Sequence, residues 1–284
     1  MKRSHIFAIL IFFILLGALF FLKYPDQQDP TTVPVVQKPN ETIEEPESTT
    51  SPERNVDILR RAPRFEVTSK NVSYFNGSTG YFVSPTEPGD FPGIVMIHEW
   101  WGLNDHIKDM AEQLAGQGYK VFAVDLFGTV ATTPEEALAQ TTALNQDIAL
   151  QNLQAAKDYL QNEGASKIAS LGWCFGGGQS LQLSLATNLD ATVIYYGNLV
   201  TESSELANLN SPVLGIFGAE DTTISIDDVE KFAKELESLE IEGSINIYPN
   251  VGHAFANPTG NNYSQEETLD AWNKTLSFLE ENLK

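Results

Sequence analysis

The sequence predicts an α/β fold, a mostly parallel sheet with helices on both faces. Two kinds of segment predict it. Continuous apolar runs such as Gly93–Ile97 and Ala191–Tyr195 have the length and composition of strands buried on both faces. Amphipathic stretches alternate with them, among them residues 226–239, with Ile226, Val229, Phe232, Ala233 and Leu236 on one face. A chain of 284 residues with 42% hydrophobic and 10% aromatic content has enough apolar side chain for such a core.

In chain order, residues 65–74 and 80–84 flank Asn76-Gly77, a hairpin signal, and predict an antiparallel entry to the sheet. After the strand Gly93–Ile97, Asn104 or Asp105 can cap a helix that runs to Leu114 and ends at Gly116 or Gly118. Residues 120–124 form the next strand. Thr133-Pro134-Glu135-Glu136 combines a cap, an N1 proline and an acidic first turn. The helix it starts runs to Leu160, with a break near Asn145. A strand over 168–171 and a helix over 179–187 bracket Cys174. Strands at Ala191–Tyr195, 212–217 and 245–248, with helices over 226–239 and 266–283, complete the pattern.

The amino terminus reads differently. Lys2-Arg3 precedes residues 6–22, seventeen positions without a charge, which predicts a single membrane-spanning helix with its basic end in the cytoplasm. Secretion after signal cleavage is the alternative. Residues 24–62 mix six prolines with Thr, Ser, Gln and acidic side chains, too little apolar surface to offset chain entropy, and predict a disordered stalk. The expected organisation is a membrane anchor over 1–23, a linker over 24–62 and a catalytic domain over 63–284 outside the cytoplasm.

Formal charge is −21, from 17 basic and 38 acidic residues. That balance excludes nucleic acid as a partner and disfavours docking of the globular part on anionic lipid. Membrane contact is expected through the amino-terminal helix only. Four scattered histidines and one cysteine offer no ligand cluster with zinc spacing, so neither metal nor cofactor is expected.

Chemistry concentrates after the strands, where α/β sheets gather reactive groups. Gly172-Trp173-Cys174-Phe175-Gly176 joins strand to helix and has the pattern of a nucleophile elbow, Gly-x-Ser-x-Gly with Cys in place of Ser. Alone it is equally a buried free cysteine beside a tight turn. Asp221 follows the strand over 212–217, and His253 follows the strand over 245–248. Nucleophile, acid, histidine is the chain order of α/β-hydrolases. A thiol attacks as thiolate, His253 can take its proton, and Asp221 can hold the imidazole tautomer. Asp221 also reads as a cap for the residues after it. His5 and His106 read as solvated side chains.

Five segments in order, His98-Glu99-Trp100-Trp101-Gly102-Leu103-Asn104, Val124-Asp125-Leu126-Phe127, Gly172 to Gly177, Phe217 to Asp221 and Tyr248 to Ala256, resemble the dienelactone hydrolase (carboxymethylenebutenolidase) family. The resemblance spans the globular part. It implies an α/β-hydrolase fold and a Cys174, His253, Asp221 triad. It also implies that the Glu99 carboxylate contacts the thiol and helps generate the thiolate. The oxyanion hole would map to the backbone N–H groups of Trp100 and Phe175. Members that cleave dienelactones hold the substrate carboxylate with two arginines. The matching positions here read Gly128-Thr129 and Asn257, which cannot replace a charged fork. A neutral or differently anchored small ester or lactone is therefore expected, with Trp100, Trp101 and Phe127 as pocket wall. A non-catalytic binding module on the same scaffold is the competing reading.

Overall fold

The computed structural model describes residues 62–284. The anchor assigned to 1–23, and the stalk up to residue 61, lie outside the described residues. Among the described residues no helix is long and apolar enough to cross a membrane.

Eight strands form one sheet in the order β1-β2-β4-β3-β5-β6-β7-β8. β1 (Val67–Phe75) and β2 (Ser78–Pro85) make the antiparallel hairpin that Asn76-Gly77 predicts, both turn residues having positive φ. β2 also runs antiparallel to β4 (Lys120–Ala123). From there β3 (Gly93–Ile97), β5 (Ile168–Trp173), β6 (Ala191–Tyr195), β7 (Val213–Gly218) and β8 (Gly243–Tyr248) join in parallel register. Their carboxyl ends therefore share one edge.

Strand alternation splits the core between the two faces. Ile94, Met96, Leu171 and Val193 pack under α1 (Asp105–Gly116) and α7 (Gln265–Leu283), which bring Ile107, Leu114, Trp272 and Leu276. Val95, Ile97 and Val124 face α3 (Gln146–Asn162) through Leu153, Ala156 and Leu160. Ile194, Val213 and Phe217 meet Val229, Phe232 and Leu236 of α6 (Ile226–Ser238). A fully buried side chain of this size contributes about 1.5–3 kcal/mol.

α2 (Pro134–Ala143) stops before Asn145, whose side chain accepts from Ile148 N–H and starts α3, so the expected break is a real cap. α5 (Ser203–Leu206) is a single turn that hydrophobic periodicity does not predict. The largest departure is α4 (Phe175–Ala186), which begins immediately after Cys174 rather than at residue 179. Gly176, Gly177 and Gly178 lie inside its first turns. Their weak helix propensity is overridden by close packing. His106 is half-buried rather than solvated, and burial lowers its imidazole pKa.

Candidate active site

Six strand ends supply the site. β5 delivers Cys174 at φ 53, ψ −116, the left-handed side of the map where a non-glycine residue is strained. Its N–H donates to Tyr195 O at 2.9 Å, which ties the elbow to the end of β6. The turn is possible because of what surrounds it. A Cβ at Gly176 would lie 2.3 Å from Ile97 O, and one at Gly177 would lie 2.6 Å from Tyr195 O. Helix and strands approach closer than any side chain allows. Phe175 opens α4, so its N–H is among those a helix start leaves without an intrahelical acceptor.

His253, on the loop after β8, brings Nε2 to 3.0 Å from Cys174 Sγ. Its Nδ1 lies 2.8 Å from Asp221 Oδ2, on the loop after β7. Asp221 does two jobs at once. Oδ2 faces the imidazole while Oδ1 accepts from Thr223 and Ile224 N–H at 2.7 and 2.9 Å, so one carboxylate makes both the contacts of a cap and a contact to His253. Burial alone would lower the His253 pKa. The hydrogen bonds to Asp221 and Cys174, with their charges, outweigh it and push the imidazole up to about 10.

Glu99 leaves the end of β3 and is 5% exposed. It accepts from Asn257 Nδ2 at 2.5 Å. Asn257 Oδ1 in turn accepts from Thr259 N–H and Oγ1–H at 2.9 and 2.7 Å, which fixes the amide orientation. Burial raises the Glu99 carboxyl to about 7, against the pull of His253 and the Asn257 hydrogen bond. The structure thus gathers Cys174, His253, Asp221 and Glu99, with the thiol bonded to His253 and the Glu99 carboxyl to Asn257.

His98 was not singled out by its sequence. It is fully buried, and its Nδ1 sits 2.6 Å from Glu99 O while Nε2 accepts from Leu126 N–H at 3.2 Å. A carbonyl can only accept and an amide N–H only donate, so the proton is on Nδ1. The ring lies 4.9 Å from that of Phe127 and 6.1 Å from that of Phe175. Phe127, half-buried, is oriented by Asp125, whose Oδ1 accepts from Phe127 and Gly128 N–H. Trp100 and Trp101 meet edge to face at 5.0 Å. Their carbonyls accept from Gln140 Nε2 and Ala131 N–H, which pins the segment carrying the Trp100 amide.

Tyr196 also escaped sequence reasoning. It follows β6, is fully buried, and packs edge to face on the His253 ring at 5.3 Å. Only apposition of separate strands reveals it. Among the described residues no group of three or more His, Cys, Asp and Glu is placed to hold a metal ion.

A strained cysteine at a strand-to-helix elbow, with a histidine and an aspartate from the next strand ends, on this strand order, defines an α/β-hydrolase. Residues 79–283 match the Dienelactone hydrolase family. The chain belongs to that family. It is a hydrolase of carboxylic esters or lactones, which sets aside the binding-module reading. A Saccharolobus solfataricus protein named "putative carboxymethylenebutenolidase" is 29% identical over 232 residues, covering 66% of this chain and 88% of that one. Protein usf of Aquifex pyrophilus is 29% identical over 217 residues, covering 72% and 93%. The crystal structure of a dienelactone hydrolase-like promiscuous phosphotriesterase from metagenomic libraries aligns with TM-score 0.70 at 26% identity, covering 77% of this chain and 99% of that one.

Proposed function

We propose that this hydrolase cleaves a small neutral ester or lactone through an acyl-cysteine intermediate, with Cys174 as nucleophile, His253 as proton carrier and Asp221 as its anchor. The observation that supports the reading is the unbroken hydrogen-bond chain from Sγ through the imidazole to the Asp221 carboxylate. The thiol proton is held on Nε2 of His253, so sulfur attacks the carbonyl carbon as the thiolate paired with the imidazolium. The resulting oxyanion is met by the Trp100 and Phe175 N–H groups. The alcohol leaves with the proton from His253, giving the thioester. Water then attacks, His253 takes its proton and returns it to sulfur, and the carboxylic acid departs.

Glu99, buried and titrating near 7, is the second acceptor for the thiol proton and works as its carboxylate. Activity then rises through the Glu99 titration and falls above the His253 titration near 10, where the imidazolium acid is lost. Trp101 and Phe127 offer apolar wall. Neutral substrates fit best because Thr129 carries no charge and Asn257 is engaged by Glu99. The uncharged run over 6–22 supports tethering of the enzyme to a membrane, and alkaline extraction of membranes from expressing cells tests it. A release of the protein into the soluble fraction rejects it.

The deciding experiment is intact-mass detection of the acyl-enzyme during turnover of a neutral aryl ester. An adduct on the native chain and none on Cys174→Ala is the expected result. Hydrolysis that survives Cys174→Ala overturns the mechanism.

A further inference from the structure

Asn152, on α3, is 4% exposed and stands beside Leu153 in an otherwise apolar layer. A buried amide costs free energy unless its polar atoms are bonded. Here every bond is assigned by chemistry. Asp125 N–H can only donate, so the Tyr74 hydroxyl oxygen accepts it, at 3.3 Å. The Tyr74 proton is then donated to Asn152 Oδ1. Asn152 Nδ2 donates to Asp125 O and to Ser78 Oγ, each at 3.2 Å. Tyr74 packs edge to face on Phe122 at 4.7 Å, and burial keeps its phenol protonated.

Both backbone polar groups of Asp125 are therefore held by side chains, from β1 and α3. The hold continues along the loop after β4. Leu126 N–H donates to His98 Nε2, while Phe127 and Gly128 N–H donate to Asp125 Oδ1 at 3.1 and 2.8 Å. Four consecutive N–H groups, at 125–128, are thus taken by side chains, which makes the loop's shape a matter of side-chain identity. The element so placed is the Phe127 ring, 5.1 Å from the ring of Phe175, the residue next to Cys174.

We propose that Tyr74 and Asn152 form a latch that positions the Phe127 wall and so sets how the site selects the apolar part of its ester. Both are positioning residues, acting through Asp125, and no covalent bond changes. Part of the selectivity is then carried by the edge hairpin rather than by the strands that bear the triad. The effect on selectivity rests on the reading of Phe127 as pocket wall, while the latch itself does not.

The test uses the full chain as native protein, Tyr74→Phe, Asn152→Ala, Ser78→Ala, Phe127→Ala and the Tyr74→Phe, Phe127→Ala double variant. Hydrogen exchange at 125–128 reads the latch without substrate, and should be about tenfold faster in Tyr74→Phe. Hydrolysis of phenyl butyrate and methyl acetate reads selectivity. Tyr74→Phe should lower the kcat/KM ratio of the larger ester to the smaller about three- to tenfold, through KM rather than kcat. Asn152→Ala should act in the same direction. Ser78→Ala removes one bond of the same amide without touching Asp125, so it should cost thermal stability and leave the ratio alone. Once Phe127 is Ala, Tyr74→Phe should change the ratio no further. Unchanged exchange overturns the proposal, as does an unmoved ratio in both latch variants. So does an equal shift in Ser78→Ala, or a shift that persists without the Phe127 ring. Faster exchange in Tyr74→Phe with a ratio that Phe127→Ala itself does not move leaves the latch standing and rejects Phe127 as pocket wall.

Discussion

Two loops border Cys174, and they are built by opposite rules. The loop after β3, residues 98–102, has its carbonyls fixed by hydrogen bonds: Glu99 O by His98 Nδ1 and Gly102 N–H, Trp100 O by Gln140, Trp101 O by Ala131. The loop after β4 turns outward at Gly128, Thr129 and Val130, all exposed, with Val130 at 49%. On the proposed mechanism, the groups that meet developing charge sit where hydrogen bonds fix the backbone. The positions proposed to meet a variable part of a substrate sit where side chains can be exchanged at little cost to the fold.

The largest effect expected from breaking the rigid side is Cys174→Ala, a loss of about 10⁴-fold in kcat on a neutral aryl ester with the fold unchanged by circular dichroism. Glu99→Gln tests the same side through stability. The Glu99 carboxyl is raised from 4.5 to about 7, so its contribution is fully present below about 4.5 and is lost as pH rises through 7. Relative to the native chain, Glu99→Gln should gain roughly 3 kcal/mol between acidic and alkaline urea denaturations. A difference independent of pH would reject a buried, upshifted carboxyl.

His98 sharpens the comparison further. In His98→Asn the amide nitrogen takes the place of Nδ1 and keeps the bond to Glu99 O. In His98→Gln the amide oxygen takes the place of Nε2 and keeps only the Leu126 bond. Loss of about 10- to 100-fold in kcat for the Gln variant, with KM nearly constant and recovery in the Asn variant, is expected if the Glu99 carbonyl is the contact that matters. Equal losses in both would reduce His98 to packing. The smallest effect belongs to the exposed side. Thr129→Arg should raise kcat/KM for a free-carboxylate lactone by about three- to tenfold and leave neutral esters nearly unchanged.

What the sequence disclosed follows from how local each signal is. The elbow is written in consecutive residues, and Asp221 and His253 each follow a recognisable apolar strand. Strand existence was equally readable, since β3 and β6 are uninterrupted apolar runs. The Asn257–Glu99 bond joins residues 158 positions apart, so at Asn257 only the lack of a charge could be read. Tyr196 reads as the last aromatic of a buried strand, and neither its positive φ nor its unpartnered hydroxyl is visible without the neighbouring strands. The early start of α4 was hidden for a different reason. Three glycines spell a turn by propensity, while the approach of β3 and β6 makes them the residues a helix there requires.

Those glycines set the direction in which this site can drift. Position 174 carries a small, part-exposed side chain whose sulfur meets His253, so Ser or Ala can stand there and the chain still folds. At Gly176 and Gly177 a single added methyl would overlap backbone oxygens that no rotamer change can move. The reactive atom is thus open to replacement while the floor beneath it is not. In a saturation library sorted for folding alone, information content should peak beside the nucleophile rather than on it.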